Sequence, residues 1–301
     1  MAEALTPDGV VCVDKPAGVS SHDIVLATRR ALGEKRIGHT GTLDPFATGL
    51  LVMMVGRATR LLRYVPGDPK VYEATAAFGA ETETEDLHGA VTREAPLPSR
   101  ETILATLPTF TGSVSQVPPA YSAKRVGGRR SYQLARKGID VPLAPVTVRV
   151  DSWEPLEWTE DAGAVRALRV RVSCSGGTYV RALARDLARA AGSAAHLSAL
   201  RRVQCGAFSV DGAVTLADLR DGRVTVRPAV DAVPQFPRVV LTSEQLGAIV
   251  RGIDIPAEGD ASVAALVNGE SGVLVAVAER RADRWQPKVV MRPAAAAGAH
   301  A

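Results

Sequence analysis

Residues 38–49 read GHTGTLDPFATG, and residues 50–55 follow with LLVMMV. The second stretch is short, wholly apolar and bounded by Gly49 and Gly56, which predicts a buried central strand rather than a helix. The first sets a histidine, three threonines, an aspartate and three glycines into twelve positions. Glycine, Asp and Pro in that density make a stiff turn. An Asp before a Pro is an ordinary turn former; it is also how a chain would hold a single carboxylate, Asp44, on a rigid support beside a strand.

Upstream, residues 10–13 (VVCV) predict a short buried strand closed by Pro16 and Gly18. Residues 20–33 (SSHDIVLATRRALG) place Ser20 and Asp23 at capping-box spacing, with Gly33 as the stop of a helix of about three turns. Downstream, residues 71–79 (VYEATAAFG) alternate as a strand, and residues 81–100, acidic and proline-bearing, are expected at the surface. Residues 99–112 (SRETILATLPTFTG) predict a second capped helix. In ALRVRVSC, Leu168, Val170, Val172 and Cys174 share one face of a strand. Thr178 then stands where it would cap a helix with Val180, Leu183, Leu187 and Ala191 inward and Gly192 at its end. Arg181, Arg185 and Arg189 recur every four residues, so they lie along one stripe, expected to be solvated for Arg185 and Arg189. Arg181 sits in the first turn, where the helix dipole disfavours a cation, so an anionic partner is expected there. Residues 231–240 read as a linker, and the stretch beyond as short strands joined by turns.

The 301 residues are 46% hydrophobic and 23% charged, enough for one substantial core and a smaller second one. No apolar run reaches the length of a membrane span, and MAEALTPDG lacks the parts of a signal peptide, so the expected location is the cytoplasm. Cys12, Cys174 and Cys205 are far apart, without a CxxC pair, and read as buried thiols. The five histidines have no ligand spacing with one another or with cysteine, and GxxxxGK[ST], GxGxxG and GxSxG are all missing. No metal, nucleotide or serine nucleophile is expected. Net charge is +4, yet residues 121–150 alone carry an excess of six positive charges, leaving −2 for the remainder. That segment, with Tyr121 and Tyr132 interleaved, is either a solvated basic loop or a surface for a phosphate backbone.

DKPAGVSSHDIV, GHTGTLDPFATGLL, KVYEATAAFG, VPPAYSAKRVGGRRSYQLARKG, CSGGTYVRALARDLA and AHLSALRR stand in the order seen in the TruB family of tRNA pseudouridine synthases, which the chain resembles from about residue 9 to 220. The Gly-Thr-Leu-Asp-Pro form, preceded by Gly-His-Thr, separates it from pseudouridine synthases that carry Gly-Arg-Leu-Asp. The resemblance implies an α+β pseudouridine synthase fold: a mixed, largely antiparallel central sheet flanked by helices and loops, with a small C-terminal β-rich PUA-like domain. Its implied organisation is a catalytic domain over residues 1–235, including a tRNA-binding insertion at about 121–150, a PUA-like RNA-binding domain over 236–292, and a disordered tail over 293–301.

The implied activity is isomerisation of uridine 55 in the T loop of tRNA to pseudouridine, by base flipping, with no cofactor. Asp44 would be the nucleophile of a covalent intermediate, Arg181 its ion-pair partner, and Tyr72 the ring that stacks on the uracil and the candidate acceptor of the C5 proton. His39, Tyr179 and Leu200 would bind the substrate, with Lys124, Arg125, Arg129 and Arg130 on the tRNA backbone; Lys15 and Pro16 would support the site. The implied partner is the tRNA T-arm, met by a monomer with no membrane attachment. A chain with this scaffold could also assist tRNA folding, and the alternative from another class is a non-catalytic tRNA-binding or folding factor.

Overall fold

A computed structural model describes residues 8–122, 124–126, 128–135, 137–139 and 142–291 of the chain; the expected tail at 293–301 lies outside the described residues. Two compact units result, the first drawing on Met1–Pro45, Leu50–Pro66 and Ala207–Ala301, the second on Phe46–Gly49 and Gly67–Gly206. The fold class is the α+β arrangement expected, rich in antiparallel strands. Among the described residues no helix is long and apolar enough to cross a membrane.

In the first unit, the strand Gly9–Lys15 pairs in parallel with Val214–Thr215 and antiparallel with Arg227–Pro228. Beside it runs the strand Thr48–Val55, whose residues from Leu50 to Val55 are all wholly buried, as an apolar run between two glycines requires. Ile37–His39 pairs antiparallel with Met53–Val55. The helix Ser21–Leu32 begins on Ser20, which exchanges capping bonds with Asp23, and ends at Gly33 in a left-handed conformation (φ 63°). It packs Ile24 and Val25 on Val11, Val13, Leu51, Met53 and Val55.

The same unit holds a five-stranded sheet in the order Arg238–Leu241, Val263–Asn268, Leu274–Arg281, Arg284–Val290, Ile255–Pro256. A helix that the strand-and-turn reading omitted, Ser243–Val250, starts in a capping box between Thr242 and Gln245 and buries Ile249 with Leu241, Leu266 and Trp285. The stretch 231–240 is more than a linker. Ala232 and Val233 are buried, and the Phe236 ring meets Tyr64 edge-on at 6.0 Å, because the apolar residues around Pro234 have a surface to cover.

The second unit is an antiparallel sheet in the order Ala195–Cys205, Lys70–Phe78, Ala164–Cys174, Val146–Asp161, Gly112–Gln116. Leu168, Val170, Val172 and Cys174 are its buried face. Thr48 and Gly49 pair in parallel with Arg201 and Arg202. Gly49 is required there: φ is 97° and a Cβ would lie 2.2 Å from the Arg202 carbonyl oxygen. In the 121–150 segment Arg125–Val126 and Arg129–Arg130 form a hairpin, followed by the short helix Ser131–Ala135.

The helix Val180–Ala190 begins on Tyr179, not on Thr178. Gln116 does the capping from the neighbouring strand: its Oε1 accepts the Tyr179 N–H at 2.8 Å and its Nε2 donates to the Tyr179 carbonyl at 3.4 Å. A tertiary partner thus replaces the local hydroxyl in satisfying the helix end.

Candidate active site

Asp44 lies in the first unit between two residues whose backbones are fixed. On one side is Leu43, 3% exposed, which both donates to and accepts from the buried Ser21 hydroxyl at 2.9 and 3.0 Å. On the other is Pro45, whose carbonyl accepts the Gly18 N–H at 2.9 Å and the Lys15 ammonium at 3.2 Å. Lys15 is fully buried, and its Nζ also donates to the carbonyls of Pro16 (3.0 Å) and Val19 (2.8 Å). A buried ammonium is tolerable because three carbonyl dipoles replace its water. The motif at 14–21 therefore clamps the turn at 43–45 from beneath, while Pro16 itself is exposed. His39, at the end of its strand, accepts the Gly41 N–H on Nδ1 at 3.3 Å.

Tyr72, Tyr179, Arg181 and Leu200 belong to the second unit. Strand register sets Tyr72 opposite Arg202 and Ala74 opposite Leu200. Residues two apart on a strand share a face, so the burial of Leu200 carries Arg202 inward too; they are 7% and 1% exposed. Burial pushes the Tyr72 phenol up to about 12, against the pull of the Arg202 guanidinium that hydrogen-bonds to it. The site thus offers a neutral aromatic ring held by a buried cation. Arg202 was not singled out by the sequence reading, although the two-residue period past Leu200 pointed to it.

Of the two arginines expected to be solvated, Arg185 is buried, whereas the Arg189 side chain keeps about half of its surface exposed. Arg181 is 3% and Arg185 8% exposed, and the acidic segment expected at the surface is what covers them. Arg181 donates Nη1 to the Thr84 carbonyl at 2.6 Å and Nη2 to the Tyr121 carbonyl at 2.9 Å. Arg185 is ion-paired with Glu85 and with Asp186, and Arg189 with Glu81, Nε to Oε1 at 2.8 Å. Burial holds the Glu85 carboxyl above the usual range even beside Arg185, whereas Arg189 and Arg93 hold Glu81 below it. Acids spaced four apart facing arginines spaced four apart were a signal that composition alone obscured.

Lys124, in the 121–150 segment, donates to the Ala144 carbonyl at 3.5 Å; the backbones of Arg125, Arg129 and Arg130 are those of the hairpin. Cys12, Cys174 and Cys205 remain thiols, with Cys174 pushed up to about 11 by burial.

Comparison with known proteins adds a second line. The profile described as "TruB family pseudouridylate synthase (N terminal domain)" matches residues 29–180, and "tRNA pseudouridylate synthase B C-terminal domain" matches 181–246. The tRNA pseudouridine synthase B of Mycobacterium tuberculosis (strain ATCC 25618 / H37Rv) is 39% identical over 297 residues, 96% of this chain and 97% of that one. That of Thermobifida fusca (strain YX) is 42% identical over 289 residues, covering 94% and 98%. Among solved structures, the chain is similar in fold to one from the archaeal box H/ACA sRNP Nop10-Cbf5 complex, with a TM-score of 0.68 and 23% identity over 95% of this chain and 86% of that one.

Proposed function

Since the chain belongs to the TruB family of pseudouridylate synthases, and so is an isomerase, we propose that it converts uridine 55 in the T loop of tRNA to pseudouridine. The bond from N1 of the base to C1' of ribose breaks, a bond from C5 to C1' forms, the C5 proton leaves and N1 gains one. Atoms balance with neither an electron donor nor an energy source. The observation that carries the reading is the double clamp on Leu43 and Pro45: a nucleophile works best when its backbone cannot drift from attack distance.

In this reading Asp44 is the nucleophile, Arg181 the cation that keeps it ionised, and Tyr72 the ring on which the flipped uracil stacks. The height of the Tyr72 phenol's pKa favours stacking and hydrogen bonding at neutral pH over standing ionised as a base. Leu200 walls the base pocket, Tyr179 packs beside Arg181, and His39 enters the opened loop. Lys124, Arg125, Arg129 and Arg130 meet phosphates, and residues 236–292 form a PUA-like module that touches RNA beyond the T-arm. The working form is a cytoplasmic monomer.

The test is tritium release from tRNA transcribed with 5-tritiated uridine. One tritium per tRNA is expected from the wild type, and none from Asp44→Ala or from tRNA with cytidine at position 55. A non-catalytic tRNA-binding or folding factor would bind the same RNA and release nothing.

A further inference from the structure

The helix Val180–Ala190 presents three arginines one turn apart, and the segment 81–85 answers each: Glu81 to Arg189, Glu85 to Arg185, and the Thr84 carbonyl to Arg181. The middle pair is the costly one. Arg185 and Glu85 are 8% and 9% exposed, the Glu85 backbone is held at φ 58°, and Glu85 Oε2 is buried without a hydrogen-bond partner among the described residues. A non-glycine residue in that conformation is uncommon, and an apolar pair of the same volume usually matches or exceeds a buried ion pair in stability. Stability alone therefore gives no reason for it.

Geometry does. Arg185 reaches Glu85 with Nη1 and the Val117 carbonyl with Nη2 at 2.9 Å, while Arg181 reaches Thr84 and Tyr121. Both guanidinium groups bridge the same two pieces of chain, 84–85 and 117–121, as successive rungs. The Glu85 carbonyl also accepts the Leu197 N–H at 3.1 Å, and Asp86 forms an isolated bridge to Leu197, in the strand that carries Leu200 and Arg202.

We infer that the Glu85–Arg185 pair is a positioning device for Arg181: it fixes the two carbonyl-bearing segments from which the Arg181 guanidinium takes its orientation. Neither member touches reacting atoms. The inference rests on the reading of Arg181 as part of the active site. Removing the pair's charges leaves the fold intact and lets the carbonyls of Thr84 and Tyr121 relax, so the effect falls on the chemical step and not on tRNA binding.

Two measurements test it together on full-length protein: single-turnover tritium release, and the Nε–H resonance of Arg181 in arginine-labelled protein, assigned with Arg181→Lys. Variants are Glu85→Gln and the apolar double variant Glu85→Leu/Arg185→Met. The double variant is expected to melt at or above the wild-type temperature and to bind tRNA within about twofold of wild type. Its release should be slower by about tenfold, or ~1.4 kcal/mol of barrier, with the Arg181 resonance shifted and broadened; Glu85→Gln should fall between. An unmoved Arg181 resonance overturns the inference whatever the activity. A moved resonance with an unchanged rate overturns it as well, as does a rate loss that only follows lost tRNA binding or lost folding. Absence of tritium release from wild type would sink the proposed reaction instead, and the resonance would still report whether the pair orients Arg181.

Discussion

Ser21 and Leu43, 22 residues apart, exchange a pair of hydrogen bonds through one hydroxyl, which donates to the Leu43 carbonyl at 3.0 Å and accepts its N–H at 2.9 Å. Both residues are buried, so Ser21→Ala strands two backbone groups at once. The expected cost is about 1–3 kcal/mol of stability, read from the urea midpoint. Because Leu43 precedes Asp44, single-turnover release should also slow by about tenfold or more, as small displacements of a reacting group do. A variant that loses stability and keeps the wild-type rate would show that the clamp does not serve Asp44.

Gly49→Ala meets backbone instead of a yielding side chain. The new methyl would sit 2.2 Å from the Arg202 carbonyl oxygen, at a φ of 97°. A loss of about 3 kcal/mol or more is expected, seen as poor soluble yield and a lowered melting temperature. Gly112→Ala is the control. Its φ is 86° with nothing within 4 Å, so only the backbone term of about 1 kcal/mol applies.

Tyr72 predicts an alkaline signature. Its phenol titrates near 12 in the fold against 10.0 as the ordinary value, so the folded state holds the proton more tightly than the unfolded one. The stability this contributes is fully present below pH 10 and is lost as the pH climbs from there toward 12. Phenolate absorbance of wild type minus Tyr72→Phe should show a midpoint near 12, and the Phe variant should lose less stability across that window. A difference midpoint near 10 would mean that the ring is more solvated than the structure has it.

Glu81 predicts the acid side. Arg189, then Arg93, hold its carboxyl below the ordinary 4.5, so its contribution is present above that pH and is lost as the pH falls through the lowered value. Arg189→Met should destabilise the protein by about 1 kcal/mol at neutral pH, a modest figure because the Arg189 side chain is half exposed. The gap to wild type should close below pH 4.5 in denaturant titrations. A gap that persists in acid would assign the loss to packing of the arginine stem.

What could be read from the sequence was what neighbours in sequence decide. Ser20 with Asp23 and Gly33 bound the first helix because capping is local, and LLVMMV declared a buried strand because no other environment suits six apolar residues between glycines. Asp44, Tyr72 and Arg181 came from motif resemblance rather than from chemistry visible in composition. The misreadings lie where a partner is remote. Glu81 and Glu85 are separated from Arg189 and Arg185 by 108 and 100 residues, so an acidic loop and a basic helix each looked solvated until brought face to face. Gln116 caps a helix that begins 64 residues further on, where a threonine stood ready in the sequence. Arg202 was the legible omission, since the period that buries Leu200 buries it too.

The strand Gly9–Lys15 takes hydrogen-bonded neighbours from Val214–Thr215 and Arg227–Pro228. During synthesis at about 5–20 residues per second, the first strand therefore waits on the order of 10–40 s for those partners. Over that interval Val10, Val11 and Val13 belong to an unsealed edge, the kind of template on which nascent chains stick to one another. Translation speed thus becomes a quantity the fold must tolerate, and a ribosome stalled before residue 214 would hold out a chain whose oldest strand is still unclosed.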